Sequence, residues 1–325
     1  MGDFVVDADV LARARFGTSR LAETVSALAI LARPEPRTWH RRWRDRHLEA
    51  FRRRLAGDPT AAALVRHAFG RTWTADFLTV APAAPDLALD EELAYLGTLD
   101  DARIREDLEV VARPLPAPLL EATGLAGTAA TLLRWVWETT VEPEWPRRRR
   151  VLQADIVSRT AQLSGHGWSG ALEGIGPGVR WRGDGRLQVN KRWYPTRDIR
   201  DADLMFIPAH CRGGWVAWKL PERYAVVYPV TGIFATDPAP APDALQRLLG
   251  QARADILVRA GQPISTSALV ALTGLPLGSV GGHLRILLDA GLLHRRRSGR
   301  EVLYWWTDAA RLLVASGRPS ARPRR

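Results

Sequence analysis

LPLGSVGGHLRILLDAGLLHRRRSGREVLYWW, residues 275–306, is the stretch that decides the fold of the C-terminal part of this chain. Its first half places apolar residues at the spacing of one helix face: Val280, Leu284, Leu287 and Leu288. A helix that starts near Leu277 is therefore predicted, and Gly291 is expected to end it.

The residues before this stretch predict two more helices. Asp243–Ala260 has the apolar spacing of one helix, which Gly261 should end. The hydroxyls of Ser265–Ser267 are good N-caps for a short helix that runs to Leu272, and Gly274 then turns the chain. A short helix, a glycine-containing turn and a further helix form the arrangement of a helix-turn-helix.

The residues after the last helix predict a hairpin. Leu292–Arg297 and Glu301–Trp306 are the two predicted strands, with Ser298-Gly299 at the turn. A hairpin directly behind the second helix of a helix-turn-helix is a wing. Residues 244–315 are therefore predicted to be a winged helix-turn-helix that binds double-stranded DNA.

Charge supports a polyanionic partner for this part of the chain. Residues 243–325 contain 13 arginines and five acidic residues, a net +8 of the +11 carried by all 325 residues. The positive charge is therefore concentrated where the DNA-binding segment is predicted.

The candidate DNA contacts lie on the two predicted helices and on the wing. The helix that starts near Leu277 is expected to reach base edges, and the wing arginines are expected to contact phosphates. Because side chains alternate along a strand, only two or three of these arginines can point the same way. The candidates are Ser265, Ser267, Ser279, Gly282, His283, Arg285, Arg295, Arg296, Arg297 and Arg300. The alternative is a winged helix that contacts protein, with the arginines as a solvated face.

Three glycines on the outer face of the second helix, Gly278, Gly281 and Gly282, offer no side chain to read a base. Each one costs a helix roughly 0.5–1 kcal/mol relative to alanine. One hypothesis is that they let the backbone approach DNA closely, with specificity from the wing and from DNA shape. The other is that DNA binding is weakened. His283 is expected to pack or to contact phosphate rather than to read a base.

The segment from Leu245 to Leu313 resembles the DNA-binding domain of the ArsR/SmtB family of bacterial transcriptional repressors. The resemblance rests on STSALVALTGLPLGSVGGHLRILLDAGLL, on the wing RRRSGREVLYWWT, and on the pattern HLxxLxxAGL at His283–Leu292. It covers about a fifth of the chain. The whole layout is also similar to actinobacterial ArsR-like regulators with a long, poorly characterised N-terminal domain. The resemblance implies a homodimer that binds a pseudo-palindromic operator and represses by occluding a promoter.

The chain departs from this family in two ways. Pro276 stands where family members have a serine at the start of the recognition helix. The regions that hold metal ligands in metal-sensing members read STSALVALTG and DAARLLVASG here, without cysteine or histidine. No metal and no cofactor are therefore expected.

The fold class predicted for the whole chain is α+β. Residues 1–165 are expected to be mostly helical and residues 166–235 to be β-rich, followed by a Pro/Ala linker at 236–243 and, after the DNA-binding domain, a basic disordered tail at 316–325. In the β-rich part, Gly183-Asp184-Gly185 predicts a hairpin turn. The runs DLMFIPAHC and RYAVVYPV predict strands.

Catalytic chemistry has little support in the sequence. The seven histidines are scattered, and no HExxH, CxxC, GxSxG or phosphate-loop motif occurs, so no catalytic residue is predicted. His40 and His47 suit either a ligand site or a solvated basic helix. His210-Cys211 suits either nucleophilic catalysis or a plain strand end.

Two other features also have two interpretations each. The run Arg147–Arg150 suits either a phosphate contact or a solvated helix start. Eight of the 13 tryptophans lie between Trp135 and Trp218, where they either line a pocket or pack in the core.

The expected function is that of a cytoplasmic transcriptional regulator. The location follows from a single cysteine, no apolar run of membrane-spanning length and no signal peptide. The N-terminal region is expected to supply dimer contacts, a pocket for a small-molecule effector, or both. The alternatives are an N-terminal enzyme tethered to DNA and an interaction protein whose winged helix contacts protein.

Overall fold

The computed structural model describes residues 2–33, 40–173, 175–176, 178–191, 195–230, 241–261, 264–298 and 301–316. The helices are α1 (Ala8–Arg13), α2 (Arg20–Ala32), α3 (Arg41–Ala56), α4 (Pro59–Ala68), α5 (Leu89–Leu93), α6 (Asp101–Val111), α7 (Ala117–Glu121), α8 (Leu125–Val136), α9 (Trp145–Leu172), α10 (Asp243–Leu249), α11 (Gln251–Arg259), α12 (Thr266–Thr273), α13 (Leu277–Asp289) and α14 (Asp308–Ser316). The strands are β1 (Gly2–Val5), β2 (Arg15–Phe16), β3 (Arg180–Gly183), β4 (Arg186–Asn190), β5 (Arg197–Asp198), β6 (Asp203–Ala209), β7 (Trp215–Lys219), β8 (Arg223–Pro229), β9 (Ile264–Ser265), β10 (Leu293–Ser298) and β11 (Glu301–Trp306). The chain is thus mixed α/β, with both the helices and the sheets that an α+β class requires.

Two four-stranded sheets organise the N-terminal region. One has the order β3-β4-β1-β5, and the other has the order β2-β6-β8-β7, in which β2, β6 and β8 are parallel and β7 is antiparallel to β8. The predicted hairpin is confirmed, because Asp184 and Gly185 have φ values of 49° and 67° and connect β3 to β4. Positive φ at both positions is what a two-residue hairpin turn needs.

Helix α2 is the central helix of this region. Ser19 accepts a hydrogen bond from the Ala22 amide and caps the helix. The helix packs against α3, α5, α8 and β6, and ten of its 13 residues are buried. Because it is surrounded by other elements, its few polar residues are buried with the apolar ones.

The first 165 residues are mostly helical, as predicted, but they also contain two short strands that were not predicted. Strands β1 and β2 lie within them, and β1 pairs with β4 and β5, more than 180 residues later in the chain. Pairing partners so distant leave no local signal, so the short run Gly2–Val5 gives no sequence pattern by which to recognise a strand.

The predicted boundary between a helical part that ends at residue 165 and a β-rich part that starts at residue 166 is wrong, because helix α9 continues past it. It runs through that boundary to Leu172, with a kink at Gly167, whose φ of 64° is not helical. Glycine tolerates this conformation, so the chain turns at Gly167 between two helical segments, the second of which ends at Leu172.

The single helix predicted over Asp243–Ala260 is two helices. Gly250 has φ 82° and ψ 151° and separates α10 from α11. An apolar pattern that continues across one glycine does not show such a break. Residues 236–240 of the predicted linker and residues 317–325 of the predicted tail lie outside the described residues.

The C-terminal elements form a compact unit around one small sheet. The sheet has the order β10-β11-β9, and α11, α12 and α13 pack together beside it. Helix α12 also packs closely against α9 of the N-terminal region.

Candidate nucleic-acid interface

Helix α13 is fixed by its apolar face and leaves the other face in solvent. Val280, Leu284 and Leu287 are buried, as predicted from their spacing. Gly274 closes α12 with φ 72°, and α13 follows at an angle of 115° to α12. This turn allows one helix to pack inside the unit while the next presents a full face outward.

The outward face of α13 carries three of the predicted contacts. Ser279 and Gly282 are exposed, and the side chain of Arg285 is 84% exposed and lies 4.0 Å from that of Asp289. His283 is half-buried at the edge of this face, in keeping with the packing or phosphate role expected of it.

The glycines of this face have no packing role within the chain. A Cβ added to Gly278, Gly281 or Gly282 would meet nothing within 4 Å. Their smallness is therefore not required by any described neighbour, although each destabilises the helix. Leu277 and Ile286 flank them and are 63% and 49% exposed.

The hairpin presents its arginines to solvent. Arg295, Arg296 and Arg297 of β10 are all exposed, and they pair in register with Tyr304, Leu303 and Val302 of β11. Successive residues of a strand point to opposite faces, so Arg295 and Arg297 share one face and Arg296 takes the other. Strand β10 follows α13 in the chain and contacts it. Arg300 lies outside the described residues.

The two serines before and within α12 are placed differently from the other candidates. Ser265 is 2% exposed, and its hydroxyl accepts a hydrogen bond from the Ala268 amide, so it caps α12 and has no surface for a phosphate. This corrects its prediction as a DNA contact. Ser267 is half-buried on α12, the helix that packs against α9.

A buried ionic cluster joins α2, α9 and the end of β6, and the sequence patterns did not reveal it. Arg148 donates to Glu23 (Nη1 to Oε2, 3.0 Å) and to Glu144 (Nη2 to Oε2, 3.0 Å). The ring Nδ1 of His210 lies 3.0 Å from both Glu23 oxygens, and its amide donates to Oε1 at 2.7 Å. The side chains of Glu23, Arg148 and His210 are 0% exposed.

For Arg148 alone, this cluster corrects the interpretation of Arg147–Arg150 as a solvated helix start, since Arg150 is exposed. Burial alone raises the pKa of Glu23, but the charge and hydrogen bonds of His210 and the charge of Arg148 outweigh it and lower the pKa to about 2. Glu23 and Arg148 are therefore a buried charge pair that holds α9 against α2. The sequence signal for this cluster is a single acid inside the apolar run of α2, because a buried acid needs a cationic partner.

His40 also departs from the interpretation given to it. It is 1% exposed just before α3, so it does not belong to a solvated face, whereas His47 is half-buried on α3. His210 directly follows β6, which agrees with the strand-end interpretation, but its burial against Glu23 adds a structural role.

A second anchor ties α9 to β8. Tyr228 donates its hydroxyl to Asp155 at 2.6 Å, and Arg159 lies 3.7 Å from the same carboxylate. Burial raises the pKa of Asp155, which Arg159 and Tyr228 partly offset. Together with Glu23 and Arg148, these contacts fix α9, the helix on which α12 rests.

The N-terminal region also contains a cavity of about 890 Å³ beside α2. Trp215 and Trp218 of the tryptophan-rich segment line it together with Trp73, while Trp137 and Trp145 pack in the core. Both interpretations of the tryptophans therefore apply, to different members.

Two further properties concern metals and membranes. Among the described residues, no group of three or more histidine, cysteine, aspartate or glutamate side chains is placed to hold a metal ion. Within the same residues no single helix is long and apolar enough to cross a membrane, and α12 and α13 reach that composition only as a bent pair.

Comparisons with protein-family models, with curated proteins and with solved structures found no match to this chain.

Proposed function

We propose that this chain is a DNA-binding transcriptional regulator whose C-terminal residues form a winged helix-turn-helix. The observation that carries the proposal is that α13 has an exposed outer face and that β10, the strand that follows and contacts it, has exposed arginines. The element order α11-β9-α12-α13-β10-β11 supports it, because this order is that of a helix-turn-helix followed by a wing. The resemblance of these residues to ArsR/SmtB repressors supports it independently of the geometry.

In this proposal the two surfaces have different roles. Arg295 and Arg297, or Arg296 on the other face of the strand, contact phosphates and set affinity. Ser279 and Arg285 are the side chains of α13 that can reach base edges. Because the glycines between them carry no reading groups, much of the specificity comes from DNA shape.

We further propose that the chain acts as a homodimer, as the resemblance implies. Large apolar side chains on the first and last helices of the C-terminal unit support this: Leu248 on α10 is 66% exposed and Leu312 on α14 is 72% exposed. A C2 interface would pair each with its symmetry mate or with the other. Leu248→Glu with Leu312→Glu should lower the dimer fraction in analytical ultracentrifugation, whereas Leu120→Glu on α7, also exposed, should not.

The N-terminal region supplies the regulatory input in this proposal. Helix α12 rests on α9, and α9 is fixed by the buried pairs to α2 and β8. A change in the N-terminal region can therefore shift the helix that supports the DNA-reading helix. An effector that alters α9 would change the spacing of the two reading heads in a dimer.

The test is DNA binding by the full chain at several salt concentrations, on duplexes selected from a random pool and on scrambled controls. In the variant with Arg295, Arg296 and Arg297 changed to alanine, affinity should fall roughly 100-fold at low salt. The slope of log affinity against log salt should become shallower by about 0.9 for each phosphate that the variant no longer neutralises.

A matched control separates local contact from net charge. Arg41, Arg42 and Arg52 are exposed on α3, and changing them to alanine removes the same charge far from the hairpin. The proposal requires that this control keep nearly full affinity. Equal losses of DNA affinity in both triple variants would contradict the hairpin as a DNA contact. A selection that yields no preferred sequence would also contradict it.

A second candidate is a protein-binding module. The exposed Leu277 and Ile286 on α13 favour it, because apolar side chains on an outward helix face suit a protein partner. The tethered enzyme has less support, since the cluster of Glu23, His210 and Arg148 is closed to a substrate.

A further inference from the structure

The cavity beside α2 has the size and the walls of a small-molecule site. Its volume of about 890 Å³ lies within the range of roughly 300–1,000 Å³ that is usual for ligand pockets. Ser26, Ala29 and Ile30 of α2 form one side, and residues 211–216 face them. It is separate from the proposed DNA-reading surface.

One wall of the cavity is aromatic and held in place. The rings of Trp73 and Trp218 lie 5.8 Å apart between centroids, inclined by 49°. Both indole N–H groups donate to Asp76, Trp73 to Oδ1 at 3.1 Å and Trp218 to Oδ2 at 3.2 Å. The carboxylate of Asp76 therefore fixes the orientation of both indoles, and the Arg197 guanidinium lies over the Trp218 ring, 4.5 Å from its centroid.

The cavity lining is also cationic. Arg33, at the end of α2, donates to the Gly70 carbonyl at 3.1 Å. Its pKa is lowered by burial and, in addition, by the positive charge of Arg212. Arg33, Arg71 and Arg212 all line the cavity.

We propose that this cavity binds a small organic anion with a flat aromatic body, its acidic group between Arg33 and Arg212 and its ring on Trp73 and Trp218. An anion placed there accepts charge-assisted hydrogen bonds from guanidinium groups that line the cavity. The ring buries apolar area against indoles that are already oriented.

As the effector site of the regulator, this proposal rests on the proposed function. The route to DNA runs through α2 and through residues 210–212. Arg212 is two residues from His210, which contacts Glu23, and Glu23 lies on α2 and pairs with Arg148 of α9. A ligand held by Arg33 and Arg212 thus contacts both segments that hold α9, the helix beneath α12.

The test uses two fluorescent probes with the same aromatic body. One is 1-anilinonaphthalene-8-sulfonate, an anion, and the other is N-phenyl-1-naphthylamine, which is neutral. The full chain should bind the anion with a stoichiometry of one per chain and about tenfold more tightly than the neutral probe. Equal affinities for the two probes would overturn the proposal.

Variants assign the binding to the cavity. Arg33→Gln and Arg212→Gln should each weaken the anion about tenfold and leave the neutral probe unchanged, while Arg33→Lys retains most of the anion's affinity. Arg42→Gln, an exposed position on α3, is the charge-matched control and should have no effect. Ala29→Phe fills the cavity and should block both probes.

Persistence of anion binding in Ala29→Phe, or unchanged anion affinity in both glutamine variants, would overturn the proposal. Thermal unfolding of each variant establishes that it is folded, and Ala29→Phe tests the location without removing any charge.

DNA binding measured with and without the anion distinguishes the two proposals. If the anion binds the cavity but the chain does not bind DNA, the ligand site is supported and the proposed regulator is contradicted. A probe that binds the cavity but leaves DNA affinity unchanged supports the site and contradicts its role as effector site. A change in DNA affinity that Arg33→Gln abolishes supports both.

Discussion

The N-terminal region and the C-terminal unit use arginine in opposite ways. Arg148 and Arg159 of α9 are buried and paired with carboxylates, whereas Arg295, Arg296 and Arg297 of the hairpin are exposed. Among the described residues of 241–316, no charged side chain is buried. The first use holds helices together, and the second leaves positive charge accessible to a partner.

The difference shows why arginine content alone says little about function. A buried guanidinium needs a carboxylate at a fixed distance and so belongs to the fold. An exposed run of arginines contributes little to folding and remains accessible to a polyanion. The location of each arginine, not the total charge, separates the two.

The largest expected effect comes from breaking the buried pair. Arg148→Met leaves Glu23 buried without its guanidinium partner, and the free energy of unfolding should fall by about 3–5 kcal/mol. Arg149 is the matched control, because it neighbours Arg148 but is 43% exposed and contacts Asp86. Arg149→Met should cost below about 1 kcal/mol.

Urea unfolding followed by tryptophan fluorescence measures both variants. Similar decreases in the two would contradict the distinction between buried and exposed arginines. The alanine triple variant of the hairpin should unfold within about 0.5 kcal/mol of the wild type, since surface changes usually do.

The next effect compares two buried glutamates. Glu92 accepts hydrogen bonds from the Ser19 hydroxyl at 2.5 Å and from the Arg20 amide at 2.8 Å, but burial dominates and raises its pKa to about 7. Glu23, paired with cations, has its pKa lowered to about 2. The contributions of Glu92 and Glu23 to the free energy of unfolding therefore depend on pH in opposite directions.

The direction of each pH dependence follows from the difference between the pKa of the group in the folded chain and its ordinary pKa in the unfolded chain. The contribution of Glu92 is present below about pH 4.5 and is lost as the pH rises through about 7, on the order of 3 kcal/mol. That of Glu23 is present above about pH 4.5 and is lost as the pH falls toward 2. Glu92→Gln should therefore be more stable than the wild type at pH 8 and should lose the slope between pH 5 and 7. A slope that persists in this variant would show that another group causes it.

Local signals are sufficient for most of the C-terminal unit. Ser265 as a cap, Gly274 at the turn and the apolar spacing of α13 each specify one element within a few residues. The break at Gly250 is the exception there, because a glycine inside a continuous apolar pattern is compatible with a helix as well as with its end.

The N-terminal region depends on contacts that the sequence does not encode locally. Glu23 meets Arg148 across 125 residues and His210 across 187, and β1 finds its partners at similar distances. For the same reason the sequence could suggest that a pocket exists but not which residues line it. The tryptophans were compatible with a pocket as well as with core packing, and nothing local places Arg33 and Arg212 on the same cavity.

The smallest effect tests the outward face of the C-terminal unit. Gly281→Ala with Gly282→Ala should raise stability by roughly 0.5–1 kcal/mol for each substitution, because each new methyl group points into open space and alanine favours the helix. If the bare face of α13 lies against DNA, the same methyl groups should weaken DNA binding about tenfold, since a close backbone approach tolerates no added atoms. Gly127→Ala on α8, also helical and in open space, should gain stability without altering DNA affinity. Stability and DNA affinity that rise together in the double variant would show that the glycines serve no close approach, and the reading of DNA would then depend on Ser279, Arg285 and the hairpin.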